Sequence, residues 1–115
     1  FRHKTIINRK NISRDIIHRP DISAIIAYKN KKIIVVKQNR FPNGIDIEIP
    51  SGNIEKNESP LDCANREFLE ETGYEAKKIT HLVRYYPLLG YSLQYIDCFF
   101  ATNILLLLNA IIYSL

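Results

Sequence analysis

Short apolar runs alternate with polar stretches along the first third of the chain, and this pattern is typical of β-hairpins. Two pairs of runs are each separated by polar residues of the kind that form turns. The paired runs are residues 5–8 with 12–18, and residues 22–28 with 33–38. The pattern therefore predicts one hairpin within residues 1–20 and a second hairpin after it.

Three further segments show the hydrophobic pattern of strands. Residues 45–49 alternate with period two before Pro50 stops the run, which predicts a short strand with an acidic face. Residues 79–86 and 94–102 are rich in β-branched and aromatic residues, and a glycine-containing loop separates them. No internal repeat or interdomain linker interrupts the sequence.

One segment has the pattern of a helix with defined ends. Ser59 is a good N-cap, Pro60 suits the first helical position, and Gly73 suits the position just beyond the C-terminus. Asp62 completes a variant of the capping box. The predicted helix, residues 60–72, has an apolar face and an opposite charged face. Its predicted apolar face consists of Leu61, Ala64, Phe68 and Leu69.

Length and composition predict one small domain, because 115 residues with 46% hydrophobic and 24% charged residues have room for a single core. Cys63 and Cys98 are too few for a disulfide framework and are expected to be reduced packing residues, which favours a cytoplasmic location. The charged first ten residues do not resemble an export signal. The apolar tail, residues 104–115, is shorter than the roughly 20 residues needed to span a bilayer.

Charge is distributed unevenly along the chain, although the net charge is only +4. Residues 1–20 hold six Lys or Arg and one Asp, whereas residues 43–75 hold nine Asp or Glu against Lys56 and Arg66. Carboxylates packed together require a cation among them, either Arg, Lys or a divalent metal. A solvated helix surface with Arg66 paired to Glu70 is the simpler explanation of the same residues.

The spacing of the acidic residues distinguishes this segment from an arbitrary Glu-rich helix. Seven positions stand in a fixed register that chance would give about once in a million chains of this length. They are Gly52, Glu58, Arg66, Glu67, Glu70, Glu71 and Gly73. This segment, residues 52–74, resembles the Nudix box. Phe68 and Tyr74 occupy places where the family usually has Ile, Leu or Val, and both keep an apolar residue there.

The resemblance implies an α+β Nudix fold, which is an α/β/α sandwich with a mixed β-sheet and a loop–helix–loop motif. It also implies that the helix carboxylates hold Mg²⁺ or Mn²⁺ against a diphosphate. By the family pattern, Glu67 and Glu71 are the main metal ligands, Glu70 assists them, and the backbone carbonyl of Ser51 is a further ligand. Arg66 and Glu58 orient these carboxylates, and Gly52 supplies a tight turn.

The resemblance extends over roughly residues 21–103 and is closest to the ADP-ribose pyrophosphatase branch. It implies Mg²⁺-dependent hydrolysis of ADP-ribose to AMP and ribose 5-phosphate. Arg40 and Glu48 are candidate substrate-binding residues, with a surface arginine and an exposed strand residue as the simpler interpretations. The branch usually has acidic residues where this chain has Leu93 and Gln94, so either the helix glutamates serve as the base or a base is absent.

Other functions remain open at this stage. A nucleotide sugar, a dinucleoside polyphosphate or a capped RNA end could replace ADP-ribose, and a non-catalytic nucleotide-binding module would keep the same fold. The expected partner is a small nucleoside diphosphate derivative rather than nucleic acid or a membrane. The branch often dimerises through its N-terminal strands, which makes a homodimer the expected assembly. Residues 104–115 do not match the family and are expected to be an atypical or truncated end.

Overall fold

The computed structural model describes residues 2–7, 10 and 13–107 of the chain. These residues form nine strands and one helix. The strands are β1 (Arg2–Ile7), β2 (Ser13–His18), β3 (Ile22–Lys29), β4 (Lys32–Ile33), β5 (Val36–Arg40), β6 (Gly44–Glu48), β7 (Ser51–Asn53), β8 (Tyr74–Tyr85) and β9 (Ile96–Leu106). The helix is α1 (Pro60–Thr72), which begins and ends at the predicted residues.

A mixed five-stranded sheet forms the centre of the fold. Its order is β4-β3-β9-β8, and β7 also pairs with β3. β3 and β9 are parallel, whereas the other pairs in this sheet are antiparallel. β1 pairs with β2 and β5 pairs with β6 as separate antiparallel ribbons. A mixed sheet with α1 packed on it agrees with the predicted α+β Nudix fold. The described residues contain one helix, so they show one of the two helical layers of the predicted α/β/α sandwich.

The N-terminal ribbon joins the two predicted runs in register, from Arg2 opposite His18 to Ile7 opposite Ser13. Of the turn between them, Lys10 lies within the described residues, whereas residues 8, 9, 11 and 12 lie outside them. The ribbon is tied to the loop after β8, because the Ile17 N–H donates to the Tyr91 carbonyl over 2.7 Å. This bond holds the end of β2 beside the sheet.

The second predicted hairpin is only partly correct. Asn30 and Lys31 have positive φ angles of 52° and 62°, as a tight two-residue turn requires, and β4 pairs with β3 for two residues. The predicted strand then breaks. The Ile34 N–H still donates to the Ala27 carbonyl of β3 over 2.9 Å, whereas from Val36 onward the chain pairs with β6 instead of β3. The apolar run of residues 33–38 is therefore divided between β4, which pairs with β3, and β5, which pairs with β6.

The two late strands are longer than predicted, since β8 begins at Tyr74 and β9 continues to Leu106. A bulge between His81 and Val83 shifts their register. The first residues assigned to the atypical tail are therefore part of the sheet, and Ile104 is buried in the core. Residues 108–115 of that tail lie outside the described residues.

The core lies between α1 and the central strands. Ala64 and Phe68 of the helix pack against Ile25 of β3 and against Phe99 and Ala101 of β9. The predicted apolar face of the helix needs one correction: Leu61 is 43% exposed, while Cys63 and Thr72 are buried. The helix therefore turns its buried face slightly away from the face predicted by hydrophobicity alone.

Both cysteines are free and buried, as expected of packing residues. The Cys63 thiol donates to the backbone carbonyls of Gly52 and Asn53 over 3.6 and 3.4 Å. Burial raises the pKa of Cys63 to about 11 and also raises the pKa of Cys98. Both thiols therefore stay protonated near neutral pH. The hydrogen bonds of Cys63 also connect α1 to β7.

The N-terminal cap of α1 gives a stability prediction. The Ser59 hydroxyl accepts a hydrogen bond from the Asp62 N–H over 3.1 Å, and Ser59 has extended backbone angles. We expect Ser59→Ala to lower the free energy of unfolding by about 1 kcal/mol in urea denaturation, because one helix N–H loses its partner. Ser59→Asp, which restores an acceptor, should retain most of the stability. Equal stability of Ser59→Ala and the wild type would contradict the cap.

Candidate functional site

The site is built where β7 runs beneath the charged face of α1. Gly52 lies directly against the Glu67 side chain, so that a Cβ added at Gly52 would overlap the Glu67 carboxyl group. Glycine is therefore required here for close approach of backbone to side chain. This contact brings the β7 backbone and the helix carboxylates together.

Arg66 is the centre of an ion-pair network on this face. Its Nε and Nη2 donate to both oxygens of Glu58 over 2.7 and 3.0 Å. Its Nη1 donates to Glu67 over 2.8 Å and to Glu70 over 3.3 Å, and Nη2 also reaches the Asn53 carbonyl at 3.2 Å. A planar guanidinium can serve these partners together because its donors diverge in a fixed fork. Arg66 therefore sets the positions of three glutamates.

Glu71 occupies the more buried end of the site. Its Oε1 accepts from the Ser51 N–H over 3.0 Å, and its Oε2 accepts from Gln38 Nε2 over 3.2 Å. Burial raises the pKa of Glu71 to about 7; the Ser51 hydrogen bond opposes this rise, and the nearby Glu67 charge adds to it. A half-buried carboxylate beside another carboxylate is a group that a bound cation would stabilise.

Glu70 lies at the outer edge of the site, with its side chain 58% exposed. Its contact with Arg66 is an i,i+4 pair of the kind found on solvated helix surfaces. The simple explanation of the acidic run as a surface ion pair therefore fits Glu70. It does not account for Glu67 and Glu71, which are partly buried against β7.

Arg40 and Glu48 form a bidentate pair across the β5–β6 ribbon, with both bonds at 2.9 Å. This pair holds the pKa of Glu48 below its ordinary value. The Arg40 side chain is 54% exposed, so its guanidinium can turn to an incoming anion without unfolding the ribbon. Ile45 and Ile47 of β6 are exposed, whereas the acidic residues that alternate with them, Asp46 and Glu48, are partly buried.

An open cavity of about 770 Å³ lies in front of these groups. Its lining includes acidic side chains, backbone groups and two arginines. The lining includes Ser51, Gly52, Glu55, Glu67, Arg19 and Arg40. The lining thus combines carboxylates, which can bind a cation, with guanidinium groups, which can bind an anion, and a metal-bound phosphate needs both.

The donor chemistry of the site fits Mg²⁺ or Mn²⁺. Mg²⁺ takes oxygen ligands, keeps several waters, and usually uses one or two carboxylates together with substrate phosphates. Glu67 and Glu71 provide such carboxylates, with Glu70 at the edge. Within the described part of the chain, no group of three or more His, Cys, Asp or Glu side chains is arranged to hold a metal ion, so the glutamates are not brought together as a complete ligand set. The contact seen for Ser51 uses its N–H, and its carbonyl remains a predicted ligand.

Glu58 gives a pH prediction. Hydrogen bonds from Arg66 and from the Glu55 N–H lower the pKa of Glu58 from 4.5 to about 2. Because the folded-state pKa is the lower one, the stability due to this carboxylate is complete above its unfolded pKa and is lost as the pH falls toward 2. We expect the urea midpoint of the wild type to fall more steeply below about pH 5 than that of Glu58→Gln. Parallel pH profiles for the two proteins would contradict this linkage.

Two residues of the site were not predicted. Arg19 belongs to the basic N-terminal block, and Gln38 belongs to a predicted strand and to the stretch before the box that resembles the ADP-ribose branch. Arg19 follows β2 immediately, and a lone arginine before Pro20 carries no local signal for a phosphate site. Gln38 alternates with Arg40 along β5, so that the period-two pattern of the strand could have placed both on one face.

Comparisons with known proteins show which family and which relatives the chain is similar to. The model of the NUDIX domain matches residues 17–108. An "ADP-ribose pyrophosphatase" of Bacillus subtilis (strain 168) is 39% identical over 99 residues, which cover 84% of this chain and 54% of that protein. A "Methanol dehydrogenase activator" of Bacillus methanolicus is 36% identical with the same coverage of both chains.

A solved structure, "Crystal structure of ADP compounds hydrolase", matches with a TM-score of 0.74 at 19% identity, covering 90% of this chain and 58% of that one. At this identity the match supports the fold. The chain spans about half the length of the curated relatives it matches. Among the described residues, the single helix is too short to cross a lipid bilayer.

Proposed function

Because the chain belongs to the NUDIX family, we propose that it hydrolyses the pyrophosphate bond of a nucleoside diphosphate linked to another moiety. ADP-ribose is the first substrate we propose, with AMP and ribose 5-phosphate as products. The observation that carries the proposal is the shared cavity, whose lining includes both Glu67 and two arginines, Arg19 and Arg40. The similarity to an "ADP-ribose pyrophosphatase" at 39% identity supports the choice of substrate.

The residues divide into three tasks in this proposal. Glu67 and Glu71 would hold Mg²⁺ or Mn²⁺, with Glu70 assisting them. When bound, the metal would supply charge neutralisation of the diphosphate and activation of water. Arg66 keeps Glu67 and Glu70 in place through its pairing with Glu58, and Arg40 exchanges Glu48 for a phosphate oxygen.

Proton acceptance from the attacking water falls to the helix glutamates. The loop between β8 and β9, residues 86–95, carries no Asp or Glu. At the two positions where the related branch has acidic residues, Leu93 is exposed and Gln94 is buried with its amide bonded to the Pro20 carbonyl. Neither side chain can take up a proton, so the loop holds no separate general base.

A panel of substrates tests the proposed reaction. ADP-ribose, nucleotide sugars, dinucleoside polyphosphates and capped RNA would be incubated separately with the chain, and the products separated by ion-exchange chromatography. We expect AMP and ribose 5-phosphate from ADP-ribose at the highest rate. Faster cleavage of another compound would overturn the substrate, and no cleavage of any compound by folded protein would overturn the hydrolase. The alternative, a binding module without activity, is less favoured because the box glutamates are all present.

Assembly and location belong to the same proposal. We propose a homodimer, in line with the separate N-terminal ribbon β1–β2, and a cytoplasmic location, in line with two free cysteines. Light scattering of the purified chain would measure the assembly directly. A monomer at micromolar concentration would contradict the dimer and leave the chemistry of the site unaffected.

A further inference from the structure

A second cavity of about 400 Å³ lies next to the 770 Å³ cavity described above and shares Arg19 with it. It is bounded by the end of β2 and by the residues that precede β9. Its lining includes His18, Arg19, Asp21, Tyr86, Gln94 and Tyr95. Its volume is within the range of small-molecule sites, and its lining combines aromatic rings with convergent polar groups.

Arg19 lines both cavities and therefore marks the passage between them. Its backbone position is fixed on both sides. The Ile17 N–H bonds to the Tyr91 carbonyl over 2.7 Å, and the Pro20 carbonyl accepts from Gln94 Nε2 over 2.6 Å. The Arg19 side chain is exposed, so a guanidinium at this boundary can contact a phosphate whose two substituents extend into different cavities.

The second cavity has an aromatic wall. The Tyr86 and Tyr95 rings are 6.3 Å apart and nearly perpendicular, and the Arg84 guanidinium lies 3.8 Å from the centre of the Tyr95 ring. Arg84 is itself held by a bidentate bond to the buried Asp97. Tyr95 is thus occupied on one face, whereas Tyr86 is 43% exposed and offers ring surface for stacking.

Asp21 adds a carboxylate to this wall. Its Oδ1 accepts from the Tyr95 N–H over 3.1 Å, which fixes the side chain at the cavity. A carboxylate has about four lone-pair sites, so Asp21 has capacity for further donors such as the vicinal hydroxyls of a ribose. Ring surface, carboxylate and guanidinium together match the base, the ribose and the 5′-phosphate of a nucleotide.

We propose that the second cavity binds the nucleoside half of the substrate, with Tyr86 against the base, and that Arg19 contacts the adjoining phosphate. This inference rests on the proposed function for the identity of the substrate. The ligand class is a nucleoside 5′-phosphate. A sugar phosphate can make the phosphate contact with Arg19 but has no flat ring to stack on Tyr86. AMP binding should therefore depend on both residues, whereas ribose 5-phosphate binding should depend on Arg19 alone.

Binding of AMP and of ribose 5-phosphate without metal, measured by calorimetry, tests the assignment independently of turnover. We expect Tyr86→Leu to weaken AMP binding about tenfold, the size of one lost base–aromatic stack, and to leave ribose 5-phosphate binding unchanged. Arg19→Gln should weaken binding of both compounds about tenfold, because both lose a charge-assisted hydrogen bond. The KM for ADP-ribose should rise in both variants.

Matched controls are available in the same region. Tyr91→Leu removes an exposed tyrosine of the same loop, and Arg14→Gln removes an exposed arginine of β2; neither residue lines the second cavity. Both controls should bind AMP within twofold of the wild type. Equal urea midpoints for all four variants would show that the fold is retained.

The outcomes separate this inference from the proposed reaction. AMP binding that depends on Tyr86 and Arg19, in a protein that cleaves no compound, would support the nucleoside site and overturn the hydrolase. Cleavage of ADP-ribose with a KM unaffected by Tyr86→Leu would support the hydrolase and overturn the nucleoside site. Wild-type protein that does not bind AMP at millimolar concentration, or a Tyr86→Leu variant that loses ribose 5-phosphate instead of AMP, would also overturn the nucleoside site.

Discussion

Glu71→Gln is expected to abolish turnover while the chain stays folded. The substitution removes the negative charge that would hold the metal and keeps the size of the side chain. The loss should exceed the roughly 10- to 100-fold that removal of an outer partner costs a metal site. The measurement is kcat for ADP-ribose at saturating Mg²⁺, with circular dichroism and a urea titration of the same preparation.

The fold should tolerate Glu71→Gln for a specific reason. Burial raises the pKa of Glu71 to about 7, so the charged form is already disfavoured at this place. The glutamine carbonyl can accept from the Ser51 N–H as the carboxylate does, and the Gln38 amide can turn to present its oxygen to the new N–H₂ group.

Glu75→Gln is the matched control for Glu71→Gln. Glu75 lies on β8 and pairs with Lys77, away from the cavity. This variant should retain activity within twofold of the wild type. If Glu71→Gln kept a near wild-type, Mg²⁺-dependent rate, the role assigned to Glu71 would be wrong.

Gly52→Ala is expected to reduce kcat/KM by about a hundredfold, because a misplacement of about 1 Å at a reacting site has an effect of that size. The added methyl group must displace either the Glu67 carboxylate or the β7 backbone. We also expect a loss of about 1–3 kcal/mol in the free energy of unfolding, the usual cost of inserting an atom group into a packed place. Steady-state kinetics and urea denaturation measure the two effects.

A double-mutant cycle identifies the cause of the Gly52→Ala effect. In the Glu67→Ala background the overlapping side chain is absent, so Gly52→Ala should then cost little stability. An equal loss of stability in both backgrounds would contradict the packing of Gly52 against Glu67. In that case the backbone of β7, rather than the carboxylate above it, would require the glycine.

The ends of α1 could be predicted from sequence because their signals are local. Ser59 caps the helix through a bond to Asp62, three residues away, and Gly73 supplies a left-handed residue with φ of 75°. Neither feature depends on the rest of the fold. The register of the glutamates on the helix follows from the same local geometry.

The split of the second hairpin could not be predicted in the same way. Residues 33–38 are all suitable for a single strand, and their local pattern carries no signal for the change of pairing partner from β3 to β6. Leu61 is a similar case, since its hydrophobicity predicts burial but the residue is 43% exposed in the first turn of the helix. Tertiary packing overrides local pattern at both places.

Arg19 shows why part of the candidate site was missed. Its position at the boundary of two cavities depends on the bond between Gln94 and Pro20, residues separated by 74 positions. The glutamates share one helix turn, whereas the arginines reach the cavity from two different strand ends. The sequence motif therefore indicates the glutamates, whereas only the folded chain shows that the arginines line the same cavity.

The most direct test of the central claim is AMP release from ADP-ribose by the purified, folded chain, measured with Mg²⁺ and again after chelation by EDTA. We predict rapid AMP formation with Mg²⁺, none after chelation, and recovery when Mg²⁺ or Mn²⁺ is added back. AMP formation at the same rate with and without the metal would contradict the claim that the helix glutamates act by holding a divalent cation.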